Sequence, residues 1–126
     1  MLLSILWAMV TLRSGLALRS ARQRKVQRPR DARERHLRLA KPALAMIAVG
    51  FGAGLASAFW LRGWETLGTA HGFVATASLL LFLATGWLGR QLELGRSRRV
   101  DPHALLALAA VGTSVAAFFT GFVLLP

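Results

Sequence analysis

Residues Pro42–Leu61 read PALAMIAVGFGAGLASAFWL, twenty residues without an ionisable side chain. Directly before them, Ser20–Lys41 read SARQRKVQRPRDARERHLRLAK. At about 1.5 Å per residue the apolar run is long enough to cross a hydrocarbon core of about 30 Å as a helix. With no water to bond the backbone there, a helix is the form such a span must take. The basic run beside it is the signal that keeps one end of the helix cytoplasmic.

Outward from this pair, the same alternation continues. Residues 72–89 and 103–126 form two further apolar spans, separated by the second basic stretch, residues 90–102. Residues 1–18 form a first span that carries Arg13 near its basic end, where the side chain can snorkel to the interface. The rival for that segment is an interfacial helix. The expected order is span 1–18, basic loop 19–41, span 42–61, outer loop 62–71, span 72–89, basic loop 90–102 and span 103–126. The fold class is all-α: an integral membrane four-helix bundle with both termini extracytoplasmic.

Charge supports this order. Of sixteen Lys and Arg residues, fifteen fall between Arg13 and Lys41 or between Arg90 and Arg99; Arg62 alone lies elsewhere, and Glu65 balances it. The net charge of +11 therefore gathers on one face. Trp60 and Trp64 flank the outer boundary and Trp87 the inner one, as aromatic belts do. Spread over a soluble domain, such a charge would suggest nucleic acid. Here the basic stretch has no interleaved aromatics, and nucleic acid is excluded. Arg22, Arg24, Lys25, Arg28, Arg30, Arg96, Arg98 and Arg99 are instead candidates for contact with anionic lipids or an acidic partner.

The chain has no cysteine, which excludes disulfides, iron–sulfur clusters and covalent c-type haem attachment. No basic n-region or small-residue cleavage site precedes Arg13, so no cleaved signal peptide is expected. Nor is there a Ser–His–Asp set, a metal-spaced acid cluster or a phosphate loop, and the chain is not expected to be an enzyme. No ionisable residue lies mid-span in the last three segments, which argues against an ion pathway. Thr69 and Asp101, the latter followed by Pro102, are expected to cap the third and fourth helices. No internal repeat is expected.

Small residues recur every fourth position at Gly50, Gly54 and Ala58, and again at Ala109, Thr113, Ala117 and Gly121. Such stripes let helix backbones approach closely. They predict packing inside the bundle, or a flat groove for a pigment, a haem ring or a partner helix.

Each of the three histidines stands near the head of a span. His36 and His103 share the cytoplasmic face, and His71 lies a membrane thickness away. One haem b held by His36 and His103 is therefore the only paired arrangement, and His71 cannot join it. The other readings of the three histidines are interfacial hydrogen bonding, and contact with a pigment or a quinone headgroup. Against that pair, His36 stands seven residues ahead of Ala43, about 10 Å outside the apolar run.

The runs RHLRLAKPALAMIAVGFGAG (35–54), LGTAHGFVATASLLLFLATGWLGRQLELGRSRR (67–99) and DPHALLALAAVGTSVAAFFTGFVLLP (101–126) resemble a family of four-helix membrane proteins of unknown function from phototrophic bacteria. That family is itself similar to the b-type cytochrome and ferric-reductase-like superfamily. The likeness rests on a histidine heading each of the last three helices, a Gly-rich second helix, a GR-containing loop and a terminal TGF-x-x-LP. It implies the four-helix fold and puts His36, His71 and His103 forward as ligands. It also implies a multi-pass protein of a bacterial cytoplasmic or intracytoplasmic membrane.

Two functions follow as expectations. The first is a non-catalytic accessory subunit of a photosynthetic reaction-centre or respiratory electron-transfer complex, packed against other membrane subunits and needing no cofactor. The alternative is a b-type cytochrome with one haem between His36 and His103.

Overall fold

A computed structural model describes residues 2–24, 30–61, 63 and 69–123. Four helices account for nearly all of them: α1 (Leu2–Gln23), α2 (Arg30–Ala56), α3 (Ala70–Glu93) and α4 (Val100–Val123). A single π-helical turn, Ser57–Leu61, continues α2. All four helices are long and apolar enough to cross a membrane. Lys25, Arg28, Arg62, Trp64 and Glu65 lie outside the described residues.

The first helix is a full member of the bundle. Its Ile5 and Ala8 are buried, and it packs on both α2 and α4. Trp7 Nε1 donates to the Leu39 carbonyl at 3.0 Å, close to the turn where Pro42 removes a backbone donor. The interfacial alternative for α1 therefore has no place in this packing.

The second helix is longer than its apolar run. It begins at Arg30, so RDARERHLRLAK is helical rather than loop, and Pro42 sits inside the helix instead of opening it. Arg, Ala, Glu, Leu and Lys are strong helix formers, and charge alone does not interrupt a helix. Hydropathy marked where the solvent changes, which is not where the backbone changes. At 27 residues α2 spans about 40 Å, so its basic turns extend beyond a hydrocarbon core of about 30 Å.

Local chemistry sets the ends of α3. Thr69, in extended conformation, accepts the Gly72 N–H at 3.1 Å on its hydroxyl, as expected of a cap. At the other end Gly95 takes a φ of 72°, with Arg96 N bonded to Gln91 O and Gly95 N to Leu92 O. This is a Schellman closure, which glycine alone enters without strain. The start of α4 differs from expectation. The helix begins at Val100, and the Asp101 carboxylate is drawn away from any capping role to Arg19, with Nε to Oδ1 at 2.7 Å.

The helices form a ring in which α1 meets α2 and α4, and α3 meets α4 and α2, while the backbones of the diagonal pairs stay farther apart. The α3–α4 contact is the most extensive. A small core of Ala8, Phe82, Ala110 and Val111, wrapped by Leu12, Leu44, Ile47 and Leu81, closes the middle of the bundle. Outward-facing side chains are mostly apolar: Leu3, Val49, Phe73 and Val123 are each more than two-thirds exposed. That inverts the usual surface and fits a lipid surround. Because the diagonals stay apart, space remains along the axis on both sides of the core.

Candidate functional site: two cavities and three histidines

The α3–α4 contact follows a regular seam. His71 Nδ1 meets the Ala117 carbonyl at 2.8 Å, Ser78 Oγ the Ala110 carbonyl at 3.3 Å, and His103 Nδ1 the Thr85 carbonyl at 3.1 Å. Each step is seven residues forward on α3 and seven back on α4, two helical turns of a left-handed crossing. The outer two contacts are reciprocal: each helix offers a histidine near its start to a carbonyl near the other's end.

Glycines complete the reciprocity. A Cβ on Gly121 would lie 2.8 Å from the His71 ring, and one on Gly89 would lie 3.2 Å from the His103 ring. Only glycine leaves room for the imidazoles to lie against the neighbouring backbone. The histidines at 71 and 103 and the glycines at 89 and 121 share one 32-residue offset. The last two helices are thus a repeat of side-chain roles, contrary to the expectation of none.

His36 makes the same contact with α1. Its ring lies 3.0 Å from where a Gly15 Cβ would stand, and Nδ1 is 2.8 Å from Ser14 Oγ. The Ser14 hydroxyl spends its proton on the Thr11 carbonyl at 2.7 Å, so its oxygen accepts from His36 Nδ1–H. Far from lying beyond the bundle, His36 is half-buried in it, because α2 is already helical about three turns before its apolar run begins. It still stands seven residues, about 10 Å, along α2 from Ala43, but packed against α1.

These contacts fix the tautomers. A carbonyl oxygen only accepts, so His71 and His103 carry the proton on Nδ1, as His36 does. In the neutral ring each Nε2 then presents a lone pair. Among the described residues no buried side-chain nitrogen or oxygen lacks a partner, so these unpaired Nε2 atoms open on free space.

That space is divided in two. At the basic end a cavity of about 1170 Å³ is lined by both His36 and His103, with Gly15 and Gly89 in its walls and Arg19 and Arg33 toward its mouth. At the opposite end a cavity of about 450 Å³ is lined by His71, with Gly50, Gly54 and Ala58 as its α2 wall. Ala8, Ile47 and Phe82 belong to both and separate them. His36 and His103 are brought together, and His71 is kept apart, as the topology required. On α3 and α4 the two levels are fourteen residues apart, about 21 Å along the axis.

The small-residue stripes behave differently from expectation. A Cβ on Gly50 or Gly54 would meet nothing within 4 Å among the described residues, so these glycines wall a cavity rather than a helix contact. On α4, Ala117 and Gly121 meet α3 through His71, whereas Ala109 is exposed and Thr113 bonds back to its own helix. The seam runs through residues 103, 110 and 117 and shares only Ala117 with the stripe. Ser14, Gly15, Thr85 and Gly89 had no place among the candidates from sequence; the shared 32-residue offset was the available signal for Gly89.

The basic residues are partly engaged. Glu93 receives Lys41 at 2.8 Å and Arg90 at 3.2 Å, and its carbonyl takes Arg33 at 3.1 Å. Arg22 donates to the Arg98 carbonyl at 3.3 Å. Arg24, Arg96, Arg98 and Arg99 are exposed, Arg30 opens α2, and Lys25 and Arg28 lie outside the described residues.

The basic-end cavity fits a haem by the chemistry of its donors: two imidazoles from two helices, each oriented through Nδ1 and each keeping its lone pair on Nε2. Among the described residues there is no cluster of three or more His, Asp or Glu suited to a bare metal ion. No protein-family model, curated protein or solved structure matches the chain, so the reading of these cavities rests on their geometry.

Proposed function

We propose that the chain is a b-type cytochrome that carries electrons through one haem at its basic end, with His36 and His103 as axial ligands. One observation carries this reading: the two histidines share a cavity and are both held as the Nδ1–H tautomer by neighbouring helices. Oriented imidazoles of this kind are typical of metal ligands, whose second nitrogen is fixed by a hydrogen bond. The haem supplies one-electron chemistry when bound. The protein's part is to aim the two Nε2 atoms, to close the cavity with Phe82 and Val111, and to set a basic mouth suited to carboxylate groups.

The membrane is a bacterial cytoplasmic or intracytoplasmic one, with the basic end inside by the positive-inside rule and both termini outside. The accessory-subunit reading is compatible with this role. It is favoured by the outward side of α2, where Gly52 is exposed and a Cβ would meet nothing. There another membrane subunit of a photosynthetic or respiratory complex could lie, with anionic lipid on the exposed arginines.

The test is a reduced-minus-oxidised absorption spectrum of the protein purified from haem-sufficient cells. About one haem b per chain is expected, lost in both His36→Ala and His103→Ala and retained in His71→Ala. A protein without haem bands, or haem that survives both substitutions, overturns the cytochrome and leaves the subunit reading alone.

A further inference from the structure

The smaller cavity is chemically distinct from the basic-end site. Its volume is less than half as large, about 450 against 1170 Å³, so it does not suit a second group of haem size. Among the described residues His71 is its only histidine, and no described Lys, Arg, Asp or Glu lines it. The lining is mainly aliphatic and aromatic, with Ile5, Met46, Phe51, Leu79 and Phe82 among it. Its polar side chains are His71 and six hydroxyls, of which those of Thr76, Ser78 and Ser114 are spent on helix carbonyls. Small-molecule sites combine an apolar enclosure with a few placed polar atoms in this way.

Three features narrow the ligand. The described walls carry no ionised side chain, which disfavours charged or sugar-like molecules that would be desolvated against them without compensation. The cavity is open along α2, where Gly50 and Gly54 line it, are solvent-accessible and would meet nothing within 4 Å with an added Cβ. In a membrane that side faces lipid, so the ligand arrives from the bilayer. The His71 Nε2 lone pair then requires a hydrogen-bond donor, since Nδ1–H is committed to the Ala117 carbonyl.

We infer that this cavity binds a membrane-soluble quinol, with a ring hydroxyl donating to His71 Nε2 and the ring lying against the Gly50–Gly54–Ala58 face. The glycines matter because a flat ring needs a wall without side chains. The Thr69 hydroxyl, which already accepts the Gly72 N–H, retains its own proton for a second ring oxygen. Haem occupancy of the other cavity is not required.

The test is equilibrium binding of a short-tailed benzoquinol, kept reduced, to the full chain in lipid nanodiscs, with empty nanodiscs as the partition control. Saturable binding near one per chain is expected, at least several-fold tighter for the quinol than for the matching quinone, which lacks the donor hydrogen. His71→Ala should weaken the quinol roughly tenfold and narrow that difference. Gly54→Phe places a ring on the cavity wall at a position where an added Cβ meets nothing within 4 Å, and binding should be lost. Should His71→Ala fail to fold, Gly54→Phe alone decides. Absence of saturable binding, equal affinity for quinol and quinone, or unchanged binding in Gly54→Phe overturns the inference. The readout is quinol rather than haem, so it stands apart from the cytochrome test.

Discussion

Each histidine in this bundle is placed by a glycine on the next helix. The ring of His71 lies so close to Gly121 that a methyl there would stand 2.8 Å from Cε1, well inside van der Waals contact. Gly121→Ala therefore forces the ring, or the α3–α4 spacing, to shift, and overpacking of this kind costs about 1–3 kcal/mol. Gly52→Ala is the contrasting change, because its methyl enters open space on an exposed helix face. Helix propensity gives it a neutral or favourable effect, within about 1 kcal/mol. Thermal unfolding in detergent followed by circular dichroism should show a lowered midpoint for Gly121→Ala only. Equal midpoints would mean that the ring is not held against the backbone. The histidines stood out from sequence because imidazole is rare in these spans. Their glycine partners did not, because which residues meet across helices depends on axial rotation, and a four-residue stripe of small residues does not reveal it.

At the level of elements, the α3–α4 seam explains why two helices of similar composition lock in one register. Ser78 is 5% exposed at the middle of three contacts spaced by seven residues, with a histidine–carbonyl contact on either side. Removing its hydroxyl with Ser78→Ala loses one interhelical hydrogen bond, worth about 0.6 kcal/mol in membrane helices. Ser78→Leu also forces bulk against the fully buried Ala110 and should cost about 1–3 kcal/mol. Denaturant unfolding should therefore rank wild type, Ser78→Ala and Ser78→Leu in falling stability, and Leu equal to Ala would show a loose seam. The existence of four helices was legible in the apolar runs. Their bounds were less so: α2 gained three basic turns and α4 began without its expected Asp101 cap. Hydropathy reports the medium around a segment, whereas the backbone follows propensity and tertiary partners such as Arg19.

For the whole molecule, the decisive asymmetry is that all four helices gather their ionised ends at one pole. Arg19–Asp101 joins α1 to α4 there, and Lys41–Glu93 joins α2 to α3. These pairs are largely solvent-exposed, so they add little stability and serve chiefly to order the cavity mouth. The same pole should control insertion. Eleven basic residues lie between Arg13 and Lys41, against four between Arg90 and Arg99. Both stretches favour the cytoplasm, so a reporter that is active only outside the cytoplasm should be active when fused after Pro126. Neutralising Arg96, Arg98 and Arg99 together should leave that activity unchanged, because the larger stretch still dictates orientation. Neutralising Arg22, Arg24, Lys25, Arg28, Arg30 and Arg33 as a set should lower it and produce a mixed population, since the remaining bias is much smaller. A reporter inactive after Pro126 in the unmodified chain would mean an inverted bundle, with the basic-end cavity and its two histidines facing the extracytoplasmic side.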